Sequence, residues 1–231
     1  MRKRQELPPK TATFELIYRF SRETIISREV IVINAYHYYK QARNAAWQCL
    51  IDVGVCSLPV KTLKITDYFH IKVIKNGDVK LLRPLESGCS LVDKRGKWTI
   101  IYDDTETLGR IRFTIAHELG HILLGHELEA GFGHYRKISE GKPITETQAD
   151  EFAARLLAPA CVLWALDVYT AEAIMRVCDI SAPAAQFRAD RMQVLRDRGK
   201  FLISPLERQV YEMFQPWIEK QKKPPQIRAG I

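Results

Sequence analysis

From Ala35 to Val53 the apolar positions Ala42, Ala45, Ala46, Cys49 and Leu50 recur at helical spacing, and Gly54 follows where a C-cap glycine belongs. Residues 11–33 fit two patterns: Phe14, Ile17 and Tyr18 suit a helix, whereas REVIVIN (28–34) suits a strand. Leu58-Pro59-Val60 leads into a short helix through Ile65. Three runs then predict strands: HIKVI (70–74), CSLV (89–92) and WTIIYD (98–103). The last two are joined by Asp93-Lys94-Arg95-Gly96, a hairpin signal. Beyond Leu108 the pattern is almost wholly helical, with breaks near Gly125, Gly131–Gly133, Gly141–Pro143, Pro159, Asp179 and Gly199. A small sheet followed by a helical half predicts an α+β domain. The first ten residues, ending in Pro8-Pro9, read as a flexible arm and QKKPPQIRAGI as a disordered tail.

One helical run has chemistry built into it. RFTIAHELGHILLGH (112–126) contains His117-Glu118-Leu119-Gly120-His121, the H-E-x-x-H pattern. Positions i and i+4 share a helix face, so both imidazoles can reach one zinc at about 2.0–2.1 Å. Glu118 is rotated off that line just enough to reach a water on the metal. Phe113, Ile115, Ala116, Leu119 and Ile122 surround the motif, which predicts a helix buried nearly all round. Two histidines and a glutamate inside such a helix cost several kcal/mol, on the order of the general desolvation penalty, unless paired or metal-bound.

A catalytic zinc needs a third protein ligand and an open position. His126 is one candidate, but the metzincin pattern would require Gly at 124 and His at 127, where this chain has Leu124 and Glu127. At about 100° per residue His126 also lies roughly 140° from His121, and only a helix end at Gly125 would bring it nearer. Glu146, in ITETQADEFAARLLAP, is the better candidate. Thr145 and Gln148 read as a capping box that starts a helix here. Its apolar stripe is Ala149, Phe152, Ala153, Leu156 and Leu157. With Ala149 at 0°, Glu146 falls at about 60° and Asp150 at about 100°, on the shoulder of the stripe, while Glu151 and Arg155 point to solvent. First-turn acids favoured by the helix dipole need not sit beside the core, and these two do. A carboxylate on zinc, with a second carboxylate orienting a zinc histidine, explains the placement.

Composition narrows the setting. Of 231 residues 46% are hydrophobic and 27% charged, enough apolar surface for a sizeable core. No run approaches the roughly 18–20 apolar residues of a membrane span. MRKRQELPPK starts basic but lacks the apolar stretch of a signal peptide, so a cytoplasmic protein is expected. The five cysteines are odd in number and contain no C-x-x-C pair, the pattern of buried reduced thiols rather than of a disulfide framework. The net charge of +8 comes mostly from the ends: positions 1–45 hold nine basic against four acidic residues. Basic tails can hold nucleic acid or an acidic partner, though more often they keep a chain soluble.

RFTIAHELGHILLGH followed by ETQADEFAARLLAP resembles the ImmA/IrrE family of zinc metallo-endopeptidases. The resemblance runs from about Ala45 to Phe214 and takes in AWQCLIDVGVCSLPVK and ISAPAAQFRADRM. It implies a zincin-like minimal metallopeptidase fold, with Zn2+ held by His117, His121 and Glu146 and with Glu118 as the catalytic carboxylate. Asp150 occupies the D/N place of E-x-x-A-[DN]-x-F-A, similar to the E-x-x-x-D helix of gluzincins. The resemblance also implies a cytosolic bacterial, phage or mobile-element protein whose substrate is a helix-turn-helix repressor. On this reading residues 1–34 are a basic extension, 35–165 the metallopeptidase domain, 166–216 a C-terminal helical part and 217–231 a flexible tail.

Many gluzincins place a transition-state-stabilising histidine after the glutamate ligand, and no histidine follows His134 here. His134, Tyr135, Tyr169 and Arg188 are the alternatives for that role. Residues 170–191 suggest helix, turn, helix with Ser181 as N-cap. On DNA such a pair would present Arg188 and Arg191. Two arginines are few for phosphate contacts, so a helical pair packed behind the cleft is expected and direct nucleic-acid binding is not. The rival to a peptidase is a DNA- or repressor-binding regulator with a non-proteolytic zinc site.

Overall fold

The computed structural model of the chain describes residues 28–126 and 143–222, with side chains from residue 36 onward. The chain divides into two compact units after Tyr36, and the second carries the elements below except for the start of the first helix. Helix α1 spans Arg28–Val53 and ends, as its pattern predicts, at Gly54. Its start corrects the strand pattern of REVIVIN: those residues are helical, because elongating an existing helix adds one hydrogen bond per residue without a new nucleus. Helix α2 (Thr62–Tyr68) follows, then strand β1 (Lys72–Lys75) and the single turn α3 (Asn76–Val79).

Strands β2 (Gly88–Val92) and β3 (Trp98–Tyr102) complete a three-stranded sheet of order β1-β3-β2. β1 runs parallel to β3, pairing Lys72 with Thr99, whereas β2 runs antiparallel to it, pairing Cys89 with Ile101. The β2–β3 hairpin is tied by the Asp93 carboxylate, which accepts from the amides of Arg95 (2.8 Å) and Lys97 (2.9 Å). Ile100 and Ile101 point to opposite faces of β3 and are both buried, so the central strand is covered on both sides.

Helix α4 (Leu108–Leu123) packs across β2 and β3, and helix α5 (Ile144–Leu157) packs on α4. Phe152, Leu156 and Leu157 of α5 are fully buried with Leu119 of α4. Burying each such side chain is worth roughly 1.5–3 kcal/mol. The helical half continues with α6 (Ala160–Ala165), α7 (Ala171–Cys178), α8 (Ala182–Asp197) and α9 (Pro205–Lys222). The α9 helix continues past 217 to Lys222, where a flexible tail was expected, because Trp217 and Ile218 pack on the core. The remainder of that tail, the arm at residues 1–10 and the glycine-rich loop lie outside the described residues.

Arg112 of α4 locks the α7–α8 pair in place. Its guanidinium donates to the carbonyls of Cys178 (3.2 Å) and Asp179 (2.6 Å) and pairs with the Asp179 carboxylate, capping the end of α7. A mostly helical chain with one small sheet is thus an α+β fold. Among the described residues no helix is long and apolar enough to cross a membrane.

Candidate metal centre

Eight consecutive residues of α4, Thr114 to His121, are buried. The helix lies between the sheet and α5, so its face has no solvent side. The approach of α5 is set by Gly120, where a Cβ would come within 3.1 Å of the Ala149 Cα and of Phe152. That close crossing brings Glu146 and Asp150 of α5 against the two histidines of α4.

The geometry at the crossing converges on one point. His117 Nε2 and His121 Nε2 lie 3.0 Å apart. The Glu146 carboxylate reaches both, at 3.5 Å from His117 Nε2 and 3.2 Å from His121 Nε2. A tetrahedral zinc with ligands at about 2.0–2.1 Å separates its ligand atoms by about 3.3 Å. His117, His121 and Glu146, all buried, therefore form a group that could hold a metal ion. Behind it, Asp150 Oδ1 lies 2.7 Å from His117 Nδ1, fixing that ring with its Nε2 inward.

Electrostatics favour a cation. Burial works against charge on His117, but hydrogen bonds to Asp150 and Glu146 outweigh it and lift its pKa to about 9. Burial pushes Glu146 upward, and the two histidines more than reverse this, holding its carboxyl far below the usual range. Glu118, 5% exposed, adds a third carboxylate, from the helix that carries the two histidines. Its charge, after burial, also helps to keep the neighbouring Cys89 thiol protonated, with a pKa of about 12. Three carboxylates around two imidazoles carry a surplus negative charge that a divalent cation would balance.

Several expectations change in the structure. The capping box of Thr145 and Gln148 does not form: Pro143 is the N-cap, the helix starts at Ile144, and the Gln148 side chain is turned inward. Arg155, expected in solvent, is buried because Tyr39 of α1 covers that face; the guanidinium sits 4.5 Å from the Tyr39 ring centroid and pairs with Glu151. Glu151 is partly covered as well.

The two arginines of the helical pair are also turned inward. Arg191 donates to the Tyr39 hydroxyl at 2.7 Å. Arg188 is buried, and burial followed by the nearby Arg155 charge lowers its pKa to about 9. Tyr169 lies under the guanidinium of Arg196, 4.6 Å from its ring. His134 and Tyr135 fall outside the described residues.

His126, weighed as a third ligand and set aside on its wheel angle, does come back to His121, though on the side away from Glu146. Leu124 closes α4, Gly125 takes a φ of +67°, and the His126 amide returns to the His121 carbonyl at 3.0 Å. The turn sets His126 Nδ1 2.9 Å from His121 Nδ1, on the side of the ring away from Glu146. The available signal was the Leu-Gly-His ending itself, since a left-handed glycine after a helix folds the next residue back over the last turn.

A search of curated proteins found no match. A family model described as the IrrE N-terminal-like domain, of the peptidase class, matches residues 68–190. That span covers the sheet, both helices of the histidine–glutamate group, α7 and the first half of α8. More than half of the chain fits this one model, with its candidate metal ligands in place, and the protein belongs to the IrrE N-terminal-like family of metallopeptidase type.

Proposed function

We propose that the chain is a zinc-dependent endopeptidase that hydrolyses a peptide bond in a cytosolic helix-turn-helix repressor. The observation that carries this reading is the convergence of His117, His121 and Glu146 beside buried Glu118, in a chain of peptidase family. Two imidazoles and one carboxylate are the donor set of catalytic zinc rather than of calcium or magnesium, and three ligands leave a position open. Zinc in this site would supply Lewis acidity, activating water at neutral pH and polarising the scissile carbonyl.

The chain supplies the rest. Glu118 takes a proton from the attacking water and returns it to the leaving amine nitrogen. Asp150 holds the His117 ring at Nδ1, 2.7 Å away, so that Nε2 stays turned to the centre. Burial of His117, Glu118, His121 and Glu146 limits screening of their charges by bulk water. A site that only held structure together would have no use for Glu118, which weighs against a non-proteolytic regulator. Support for the repressor as substrate comes from the resemblance to ImmA/IrrE peptidases. A cleft selective for one such protein also suits a peptidase working in the cytosol.

Purified protein should carry about one zinc per chain, and His117→Ala or Glu146→Ala should lose it. Full occupancy in Glu146→Ala, with loss in His126→Ala, contradicts the third-ligand assignment. The partner repressor should be cut at one or a few sites, and chelator should abolish cutting. Strong, salt-sensitive binding to a specific duplex without any cleavage contradicts the proposal and favours a DNA-binding regulator.

A further inference from the structure

We infer that His126 is a positioning residue for the metal centre, fixing the tautomer and orientation of His121 through a hydrogen-bond relay anchored on Gln148 and helix α1. The inference rests on the metal-site reading above and concerns residues of this chain that lie outside the ligand group.

The two candidate histidine ligands are held symmetrically from behind. His117 has Asp150 on its Nδ1 at 2.7 Å; His121 has His126 Nδ1 on its own Nδ1 at 2.9 Å. Between two imidazole nitrogens at that distance, one bears the proton and the other accepts it. A nitrogen that ligates a metal is unprotonated. His121 turns its Nε2 to the centre, so its proton resides on Nδ1 and is donated to His126.

The neighbours of His126 fit that direction. With Nδ1 accepting, the proton of neutral His126 sits on Nε2, and there the Gln148 Oε1 waits as an acceptor at 3.2 Å. The Gln148 amide is fixed the right way round in turn. Its Nε2 lies 3.3 Å from both the Tyr38 carbonyl and the Gln41 Oε1, two groups that can only accept. Every donor from α1 to the metal centre meets an acceptor. The reverse direction would set an Nε2 lone pair against the Gln148 oxygen.

The backbone holds His126 there. The amide of Gly125 bonds to the carbonyl of Ile122 at 3.2 Å, and that of His126 to the carbonyl of His121 at 3.0 Å. These are the paired bonds of a Schellman turn, in which the residue after the glycine covers the third residue from the helix end. In most such turns that contact is apolar; here two imidazoles make it. Gln148 occupies the position that a capping box would have spent on its own helix and is 6% exposed.

The test compares His126→Phe, which keeps the ring and removes the acceptor, with His126→Asn, whose Oδ1 takes the place of Nδ1. Zinc affinity is measured by competition with a chromophoric chelator, and the ligand field from the visible spectrum of the cobalt-substituted protein. His126→Phe should weaken zinc by about 10–100-fold and shift the cobalt bands, whereas His126→Asn should restore both to near wild type. Nitrogen-15 imidazole spectra of the zinc-loaded wild type read the tautomers directly, without relying on any variant folding. They should show His121 protonated at Nδ1 and His126 at Nε2. A His126 proton on Nδ1, or His126→Phe binding zinc as tightly as wild type, overturns the relay alone. Wild-type protein that takes up no metal overturns the metal-site reading beneath it.

Discussion

His117 concentrates the electrostatics of the centre, with Glu146 facing its Nε2 and Asp150 its Nδ1. The carboxylates that hold a proton on this ring without metal are those that would hold it in place with metal. Asp150→Asn keeps an oxygen to accept from Nδ1–H and removes the charge. Zinc affinity is expected to fall by about 10–100-fold, with only part of the cleavage rate lost; zinc retained at wild-type affinity after dialysis contradicts the assigned role. The four residues His117, His121, Glu146 and Asp150 were legible in the sequence because each lies inside a regular helix, where angular position follows from spacing. His126 was not, because it lies beyond Gly125, where the chain has left the helix and wheel angles no longer apply. Arg155 was misplaced for another reason: the pattern of α5 identifies its apolar face, but Tyr39, distant in sequence, covers the opposite one.

At the scale of elements, the centre depends on how closely α4 and α5 cross. Gly120 fills the second x of H-E-x-x-H, and its missing side chain lets the Ala149 backbone approach. Gly120→Ala puts a methyl 3.1 Å from the Ala149 Cα, and backbone cannot swing aside as a side-chain tip can. The helices must separate by a few tenths of an ångström. Overpacking of this kind costs typically about 1–3 kcal/mol, so a lower Tm is expected together with weaker zinc binding, since Glu146 moves with α5. Wild-type zinc affinity in a folded Gly120→Ala would show that the crossing distance does not set the ligand geometry. The elements themselves were legible wherever turn residues punctuate them, as at Gly54, Asp93–Gly96 and Pro159. Of the helix starts that were misread, Ile144 has no side-chain cap to mark it, and the residue before Arg28 lies outside the described residues.

Over the whole molecule, the sheet and the helical half have distinct tasks. The sheet backs α4 from one side, where Gly88 of β2 passes beside Thr114 and Glu118, and α5 closes the other. Arg112 ties the end of α7 to the helix that carries the two histidines, and Arg188 and Arg191 are turned inward. Glu118 is thus buried beside a group of three candidate ligands, where it would act as the base in the proposed peptide hydrolysis. Glu118→Gln is nearly isosteric, leaves the ligands untouched and removes only the ability to accept a proton. The deciding measurement is zinc per chain and the rate of repressor cleavage in the same Glu118→Gln preparation. Zinc content should match wild type while cleavage falls by at least about 10²–10⁴-fold. Cleavage at the wild-type rate by zinc-loaded Glu118→Gln would contradict the mechanism outright.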